Sequence, residues 1–495
     1  MRVQARVFVV YLALLGAGCA IGPNYKTPSA PVPPAYKEQP ATEASAESWK
    51  AAEPRDQARR GKWWEVFGDP ALNALEDQVG SSNQNVAQAE AAFRGARAAV
   101  RGARAELFPT VTTSPSVTRS HSSQNSSVAP AVASAATITS YELPIDLSYE
   151  ADVWGRIRRS VEGSVASAQA SAADLETVRL TMQAELAVDY FQLRGLDAEK
   201  QLLDKTVAAY EKALQLTINR HEQGVASGVD VAQAETQLYT TRAQATDLAV
   251  ARAQLEHAIA ILAGRPPGDF TILSAPVAYA PPPVPVGLPS ELLERRPDIA
   301  ASERRMAAAN AQIGVAQAAF FPRLLLSASG GYQSTKLASL FSVASRFWAI
   351  GPSLAATLFD GGQRRATREQ AQASYDGAVA VYRQTVLSAF QEVEDNLAAL
   401  RILAEESTQQ ADAVAAAERS LALAMNRYQA GITTYLEVIT AQGAALANER
   451  AAVDVLNRRM TASVNLVKAL GGGWHEPSPW PLPRSPVGKN QEARP

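Results

Sequence analysis

One cysteine, Cys19, in 495 residues leaves no intrachain disulfide and no cysteine-based metal site. Histidine is nearly as scarce: His121, His221, His257 and His475 are scattered along the chain. Aromatic residues make up 7% of a chain that is 47% hydrophobic, so the apolar content rests on alanine, with valine and leucine next. That vocabulary suits long helices rather than a β-sandwich core. Neither sign of charge dominates, with a net charge of −2 and no basic patch, which argues against nucleic acid as a partner. No apolar run is long enough to cross a bilayer as a helix.

The chain starts "MRVQARVFVVYLALLGAGCA". Arg2 and Arg6 precede a short apolar stretch, Val7 to Leu15, and then small residues. This is the pattern of a secretory signal, expected over residues 1–18. "LGAGC" resembles the bacterial lipobox, which implies cleavage after Gly18 and acyl chains on Cys19. Two or more chains give stable anchoring where one does not. Ala20 rather than aspartate follows, which favours the outer membrane. Residues 19–69 begin with a Pro-, Ala- and Ser-rich segment, including "TPSAPVPPAY", and read as an extended N-terminal strap.

The body reads as helices. A first helix is expected from about Asp69 to Glu106. Residues 156–219 and 363–426 contain no proline. In the first, Met182, Leu186, Tyr190, Leu193 and Leu196 step by four or three. In the second, Val379, Tyr382, Val386, Phe390, Val393 and Leu397 do the same. That spacing marks coiled-coil helices, each about 95 Å long at 1.5 Å per residue. Return helices are expected over 229–263 and 436–470, ending at "AGRPP" and "LGGGW".

The two long helices end in a duplicated turn, "RHEQGVASGVDV" at 220–231 and "RYQAGITTYLEV" at 427–438, 207 positions apart (427 − 220). The chain therefore divides into a repeat at 70–263, with tip turn 220–230, and a repeat at 297–470, with tip turn 427–437. A linker at 264–296 joins them, and a tail follows at 471–495. Gly224 and Gly431 read as helix-ending residues with positive φ. Asp230 and Glu437 open the return helices, where an acid also serves as a cap.

A strand hairpin precedes each long helix. "YELPIDLSYE" at 141–150 alternates, with Tyr141, Leu143, Ile145, Leu147 and Tyr149 on one side. "RFWAIGPSLAATLFD" at 346–360 puts Trp348, Ile350, Leu354, Ala356 and Leu358 on one side. Weaker strands start at Phe108-Pro109 and Phe321-Pro322, giving hairpins over 108–150 and 321–360. Segments of this length and alternation suit a transmembrane β-barrel, which the lipobox favours over a small soluble sheet. Four strands cannot close such a barrel, and lipid tolerates no open edge, so the chain is expected to oligomerise.

Four stretches, "CAIGPNYKTP" at 19–28, "WWEVFGDPALNAL" at 63–75, "LPSELLERRPDIAASE" at 288–303 and "LFDGGQRRA" at 358–366, occur in the order found in one family. The chain resembles the TolC-like outer membrane efflux proteins, and most closely their lipoprotein branch of the OprM and NodT type. The resemblance implies a mainly α fold with a membrane β-barrel. In a homotrimer, long coiled-coil helices form an α-barrel and four strands per chain contribute to a twelve-stranded barrel. It implies a lipid-anchored outer membrane channel extending into the periplasm. An inner-membrane RND-type pump drives it and a periplasmic adaptor (membrane fusion protein) opens it. Gly224, Val225, Gly431 and Ile432 then stand where the adaptor contacts the tip, and Asp230 and Glu437 where acids line the aperture. Thr433 and Thr440 occupy places where relatives can carry a basic and a second acidic residue. A salt-bridged lock is therefore not expected, and the aperture is expected to be held partly by packing.

Other classes fit less well. A protein-secretion channel shares the architecture. A lipidated periplasmic adaptor usually carries one helical hairpin, whereas this chain has two. "HEQG" at 221–224 is not the zinc motif HExxH, since Val225 stands at the last position, and "DGGQ" at 360–363 lacks phosphate-loop spacing. No enzymatic activity, metal or cofactor is expected beyond the covalent lipid.

Overall fold

A computed structural model describes residues 20–30, 32–33, 35–38, 61–121, 137–275, 281–282, 292 and 295–472. The signal segment, Cys19, residues 39–60 of the strap, 288–291 and 293–294 of the linker motif, and the tail from residue 473 lie outside them.

Twelve elements carry the argument. In chain order they are α1 (Pro70–Ser82), α2 (Gln84–Ala105), β1 (Thr110–Thr113), β2 (Ser116–His121), β3 (Thr137–Ala151), α3 (Arg156–Glu222) and α4 (Gly228–Leu262). Then follow α5 (Pro297–Ala318), β4 (Arg323–Ser334), β5 (Arg346–Ala355), α6 (Gln363–Gln429) and α7 (Tyr435–Ala469). Helices α3 and α6 have 67 residues each, and α4 and α7 have 35 each. Both pairs start 207 positions apart (363 − 156 and 435 − 228). At 1.5 Å per residue the long helices run about 100 Å. Among the described residues, no helix is long and apolar enough to cross a membrane.

Three expectations need correction. The first helix is two, broken at Asn83. The Asn83 side chain accepts from the Asn85 and Val86 amides, which caps α2, and donates to the Leu262 carbonyl. The run Ser81-Ser82-Asn83 is weak in helix propensity and strong in capping, which permits the break, and the Leu262 contact fixes it at Asn83. The first strand is also two pieces, β1 and β2, interrupted at Ser114-Pro115. Both pair with β3 in one unbroken register, Thr113 opposite Ile145 and Ser116 opposite Glu142. Pro115 has no amide to give the ladder. The last strand stops at Ala355, so Ala356 and Leu358 leave the sheet. There the chain turns into α6. Asp360 accepts from the Gly362 and Arg364 amides, and Gly361 and Gly362 take φ of 60° and 94°.

The chain forms two compact units. The first comprises Met1–Ser29, Ala92–Ser171 and Ser302–Tyr382 and contains the sheet. Its order is antiparallel, β1/β2–β3–β4–β5, so the hairpins of the two halves join through β3 and β4. Register and the two-residue period divide the side chains by face. Val111, Ile145, Leu147, Leu326, Ile350 and Leu354 share one face. Thr112, Glu142, Asp146, Ser327, Ser329 and Gln333 share the other, where the Ser329 hydroxyl donates to Asp146 at 2.6 Å. The apolar face lies open: Trp348 is 80% exposed and Ile350 76%.

The N-terminal residues of this unit are held closely. The Ile21 amide donates to the Trp154 carbonyl at 3.0 Å. Arg159 donates to the carbonyls of Ile21 and Gly22 and to the Asn24 side chain. Tyr25 and Thr27 both donate to Glu303 Oε1, at 3.0 and 3.1 Å. Gly22 adopts φ 106°, and a Cβ there would stand 2.5 Å from the Gly314 Cα, so close backbone contact requires glycine.

The second unit comprises Ala30–Ala91, Ala172–Ala301 and Arg383–Pro495. Its main core gathers Trp63, Trp64 and Phe67 with Leu72 and Val79 of α1, Tyr190 and Phe191 of α3, Ile259 of α4 and Val464 of α7. Asp69 caps α1 through the Ala71 and Leu72 amides and accepts from the Tyr190 hydroxyl at 2.6 Å. Arg296 ties the linker motif to the bundle through Asp298, Glu392 and the Ala469 carbonyl.

Candidate functional site

The duplicated turns belong to the second unit and close by the same backbone chemistry. At the end of α3, the Gly224 amide donates to His221 O and the Val225 amide to Arg220 O, at 2.9 and 2.8 Å. At the end of α6, Gly431 donates to Tyr428 O and Ile432 to Arg427 O, both at 2.9 Å. Each is a Schellman motif, which needs a left-handed residue after the helix. Gly224 and Gly431 supply it with φ of 73° and 74°. The motif then turns the next side chain outward. Val225 is 61% exposed and Ile432 69%. Val229 and Leu436, the second residues of the return helices, are also exposed.

The two acids behave differently. Asp230 forms a capping box: its amide donates to Ser227 Oγ, and its carboxylate accepts from the Ser227 amide and hydroxyl. Glu437 reaches back across its turn. It pairs with Arg427 at 3.0 Å and accepts from the Thr433 hydroxyl. One methylene and one hydroxyl account for the difference. Glutamate is long enough to reach Arg427, and repeat 1 has Ala226 where repeat 2 has Thr433.

Arg427–Glu437 is thus an ion pair within one turn of one chain. Both partners are about half exposed, so it contributes at most about 1 kcal/mol. Its equivalent, Arg220, is left free of Asp230 and crosses to the other turn. It donates to the Gln429 carbonyl at 3.1 Å and stacks over the Tyr428 ring, 4.6 Å from its centroid. His221 closes its own turn, donating from Nδ1 to the Ala226 carbonyl at 2.9 Å.

Beneath the turns lies a small core of Ala234, Ala424, Tyr428, Tyr435, Val438 and Ala441. The two tyrosine rings are 5.2 Å apart, and the Tyr428 hydroxyl donates to Thr217 Oγ1 at 3.3 Å. Burial, with Tyr428 alongside, pushes the Tyr435 hydroxyl up to about 12. The sequence reading missed Arg220, Arg427, Tyr428 and Tyr435. The signal was present, since each arginine is the first letter of a duplicated stretch, but which repeat forms the cross-turn contact depends on side-chain reach. Among the described residues, no group of three or more His, Cys, Asp or Glu side chains could hold a metal ion.

Comparison with known proteins assigns this architecture. The family model "Outer membrane efflux protein" matches residues 75–265 and 288–472. A curated relative, the probable efflux pump outer membrane protein TtgC of Pseudomonas putida, is 33% identical over 466 residues, covering 94% of each chain. Outer membrane protein OprJ of Pseudomonas aeruginosa is 32% identical over 483 residues, covering 95% of this chain and 96% of that one. Among solved structures, the outer-membrane channel OprN superposes with a TM-score of 0.81 at 32% identity, covering 92% of this chain and all of that one. The outer membrane protein VceC of Vibrio cholerae gives 0.78 at 29% identity, covering 84% of this chain and all of that one. With its paired long helices, its antiparallel sheet and a match along nearly its whole length, the chain belongs to the outer membrane efflux protein family.

Proposed function

We propose that three copies of this chain close into one outer membrane channel, the passive exit duct of a tripartite small-molecule efflux system. The observation that carries the reading is the match over 94% of both chains to an efflux pump outer membrane protein. The sheet supports it independently. One face is apolar and open, the other polar, and the described residues supply too few strands to close a barrel alone. Three copies would remove the edges that lipid does not tolerate.

An inner-membrane RND-type pump would supply the energy, and a periplasmic adaptor would dock on the tip turns. Val225 and Ile432, exposed beside Gly224 and Gly431, would give that adaptor an apolar footing. Asp230 and Glu437 would line the aperture, two carboxylates from each copy, and favour cations. The Arg220 contact to the second turn would hold the aperture narrow until the adaptor separates the turns.

A covalent lipid on Cys19 completes the reading. Ala20 packs against Gly155, between β3 and α3, so acyl chains on the preceding residue would start at the rim of the sheet. The deciding experiment is native mass spectrometry of the full-length protein extracted from outer membranes in mild detergent. A mass near three lipidated chains, with conductance in planar bilayers, is the expected result. A folded monomer that stays soluble without detergent would overturn the reading.

A further inference from the structure

We propose that the junctions between strands and helices form a collar that binds anionic phospholipid headgroups in the membrane leaflet on the helix side. The inference rests on reading the sheet as membrane-spanning. All of the residues concerned belong to the first compact unit.

Large apolar side chains are laid open at these junctions. Phe108, before β1, is 68% exposed, and Leu358 and Phe359, after β5, are 95% and 87% exposed. They flank the ends of β1 and β5 in sequence, and Leu354 near the end of β5 is exposed as well. Apolar surface of this kind, contiguous with a lipid-facing sheet, belongs at a membrane boundary.

The charges decide which lipid. Most of the acids at the junctions are already engaged. Glu106 and Glu150 pair with Arg156 at 3.7 and 2.8 Å, Asp152 with Arg158 at 3.2 Å, and Asp360 with Arg364 at 2.5 Å. Arg323, at the start of β4, is exposed and makes no ion pair among the described residues, and four more arginines lie on the helices: Arg101 and Arg104 near the end of α2, and Arg365 and Arg368 near the start of α6. All four are exposed, and none makes an ion pair among the described residues. Arg101 and Arg104 end a stripe that begins with Arg94 and Arg97, spaced three, four and three, so the four share one side of α2 leading towards Phe108. Arg365 stands in the first turn of α6, where the helix dipole disfavours cations and no acid is present, and Arg368 follows in the next turn. Arginine lays its stem along apolar surface and presents a planar fork to phosphate oxygens. Open apolar side chains beside uncompensated guanidiniums therefore fit a lipid with an anionic headgroup better than a zwitterionic one.

The test is native mass spectrometry of the purified oligomer titrated with phosphatidylglycerol or phosphatidylcholine, with conductance recorded on the same preparation. The wild-type protein should retain phosphatidylglycerol several-fold over phosphatidylcholine, with the preference weakening in high salt. Arg101→Gln, Arg104→Gln, Arg365→Gln and Arg368→Gln together should bring the ratio near one while leaving oligomer mass and conductance intact. A conducting wild-type oligomer with no headgroup preference would overturn the collar and leave the channel reading standing. So would equal competition by inorganic phosphate, or a variant that loses assembly while its remaining oligomer keeps the preference, which would assign the arginines to contacts between copies.

Discussion

The guanidinium of Arg220 lies 4.6 Å from the centroid of the Tyr428 ring and donates to the neighbouring Gln429 carbonyl, so the end of one long helix holds the end of the other. The Tyr428 ring is buried, so the cation–π contact contributes about 0.5–2 kcal/mol, and a hydrogen bond from a charged donor about 1.5–3 kcal/mol. The Schellman bonds beneath are backbone bonds and do not depend on the arginine. Arg220→Ala should therefore lower the unfolding midpoint but leave the turns formed and the oligomer assembled, and it should raise open-channel conductance, or the frequency of opening, in planar bilayers without adaptor. Arg220→Lys keeps the charge but not the planar stack and should fall between. Conductance identical to wild type in both would mean that this contact does not restrain the aperture.

The unlike chemistry of Asp230 and Glu437 predicts unlike costs. Asp230→Ala removes a reciprocal cap and should lower stability by about 1 kcal/mol. Glu437→Ala removes a half-exposed ion pair and should cost less, about 0–1 kcal/mol. Thermal unfolding in detergent orders the two. The double variant should also lose cation preference, read as a shift of reversal potential towards zero under a salt gradient. A full cation preference in that variant would leave both acids with capping roles alone.

Two glycines with nearly the same backbone angle should respond differently to alanine. Gly224 has φ 73° with open space where a Cβ would stand, and Gly264 has φ 72° with the Ser82 carbonyl oxygen 2.2 Å from that point. Gly224→Ala should cost only the left-handed strain, about 1–2 kcal/mol. Gly264→Ala adds a clash with backbone that cannot swing away, so its loss should be clearly larger and should reduce the yield of assembled protein. Equal unfolding midpoints for the two variants would show that the approach of Ser82 relaxes without cost.

Much of this was legible because helices advertise themselves by period. The proline-free runs and the stripe Leu186, Tyr190, Leu193 located α3 to within a few residues, and the duplicated stretch located both turns. What escaped depended on contacts distant in sequence or on one residue's local chemistry. The break at Asn83 is fixed by an amide that finds the Leu262 carbonyl, 179 residues away. The gap between β1 and β2 turns on one proline in a strand whose pairing otherwise continues. The cross-turn role of Arg220 follows from Asp230 being too short to reach it, which no motif records.

A final expectation concerns Glu76, which sits in the apolar stripe of α1 between Leu72 and Val79, fully buried, with no hydrogen-bond partner for either oxygen among the described residues. Burial, with a smaller contribution from Asp77, holds its carboxyl well above the usual carboxylate range. Asp189 moves the same way, pushed up to about 6 by burial first and Glu185 second. A group whose pKa is higher in the folded state contributes stability below its unfolded value, about 4, and loses it as pH rises through the folded value. Unfolding midpoints of the wild-type protein should therefore fall as pH is raised from about 5 to about 9. Glu76→Gln keeps the shape without the proton to lose. Its profile should be flatter, and at the alkaline end the variant should be the more stable of the two. Asp189→Asn should flatten only the segment near pH 6. Parallel profiles for Glu76→Gln and wild type would mean that Glu76 gains a donor or water in the assembled protein and stays ionised there.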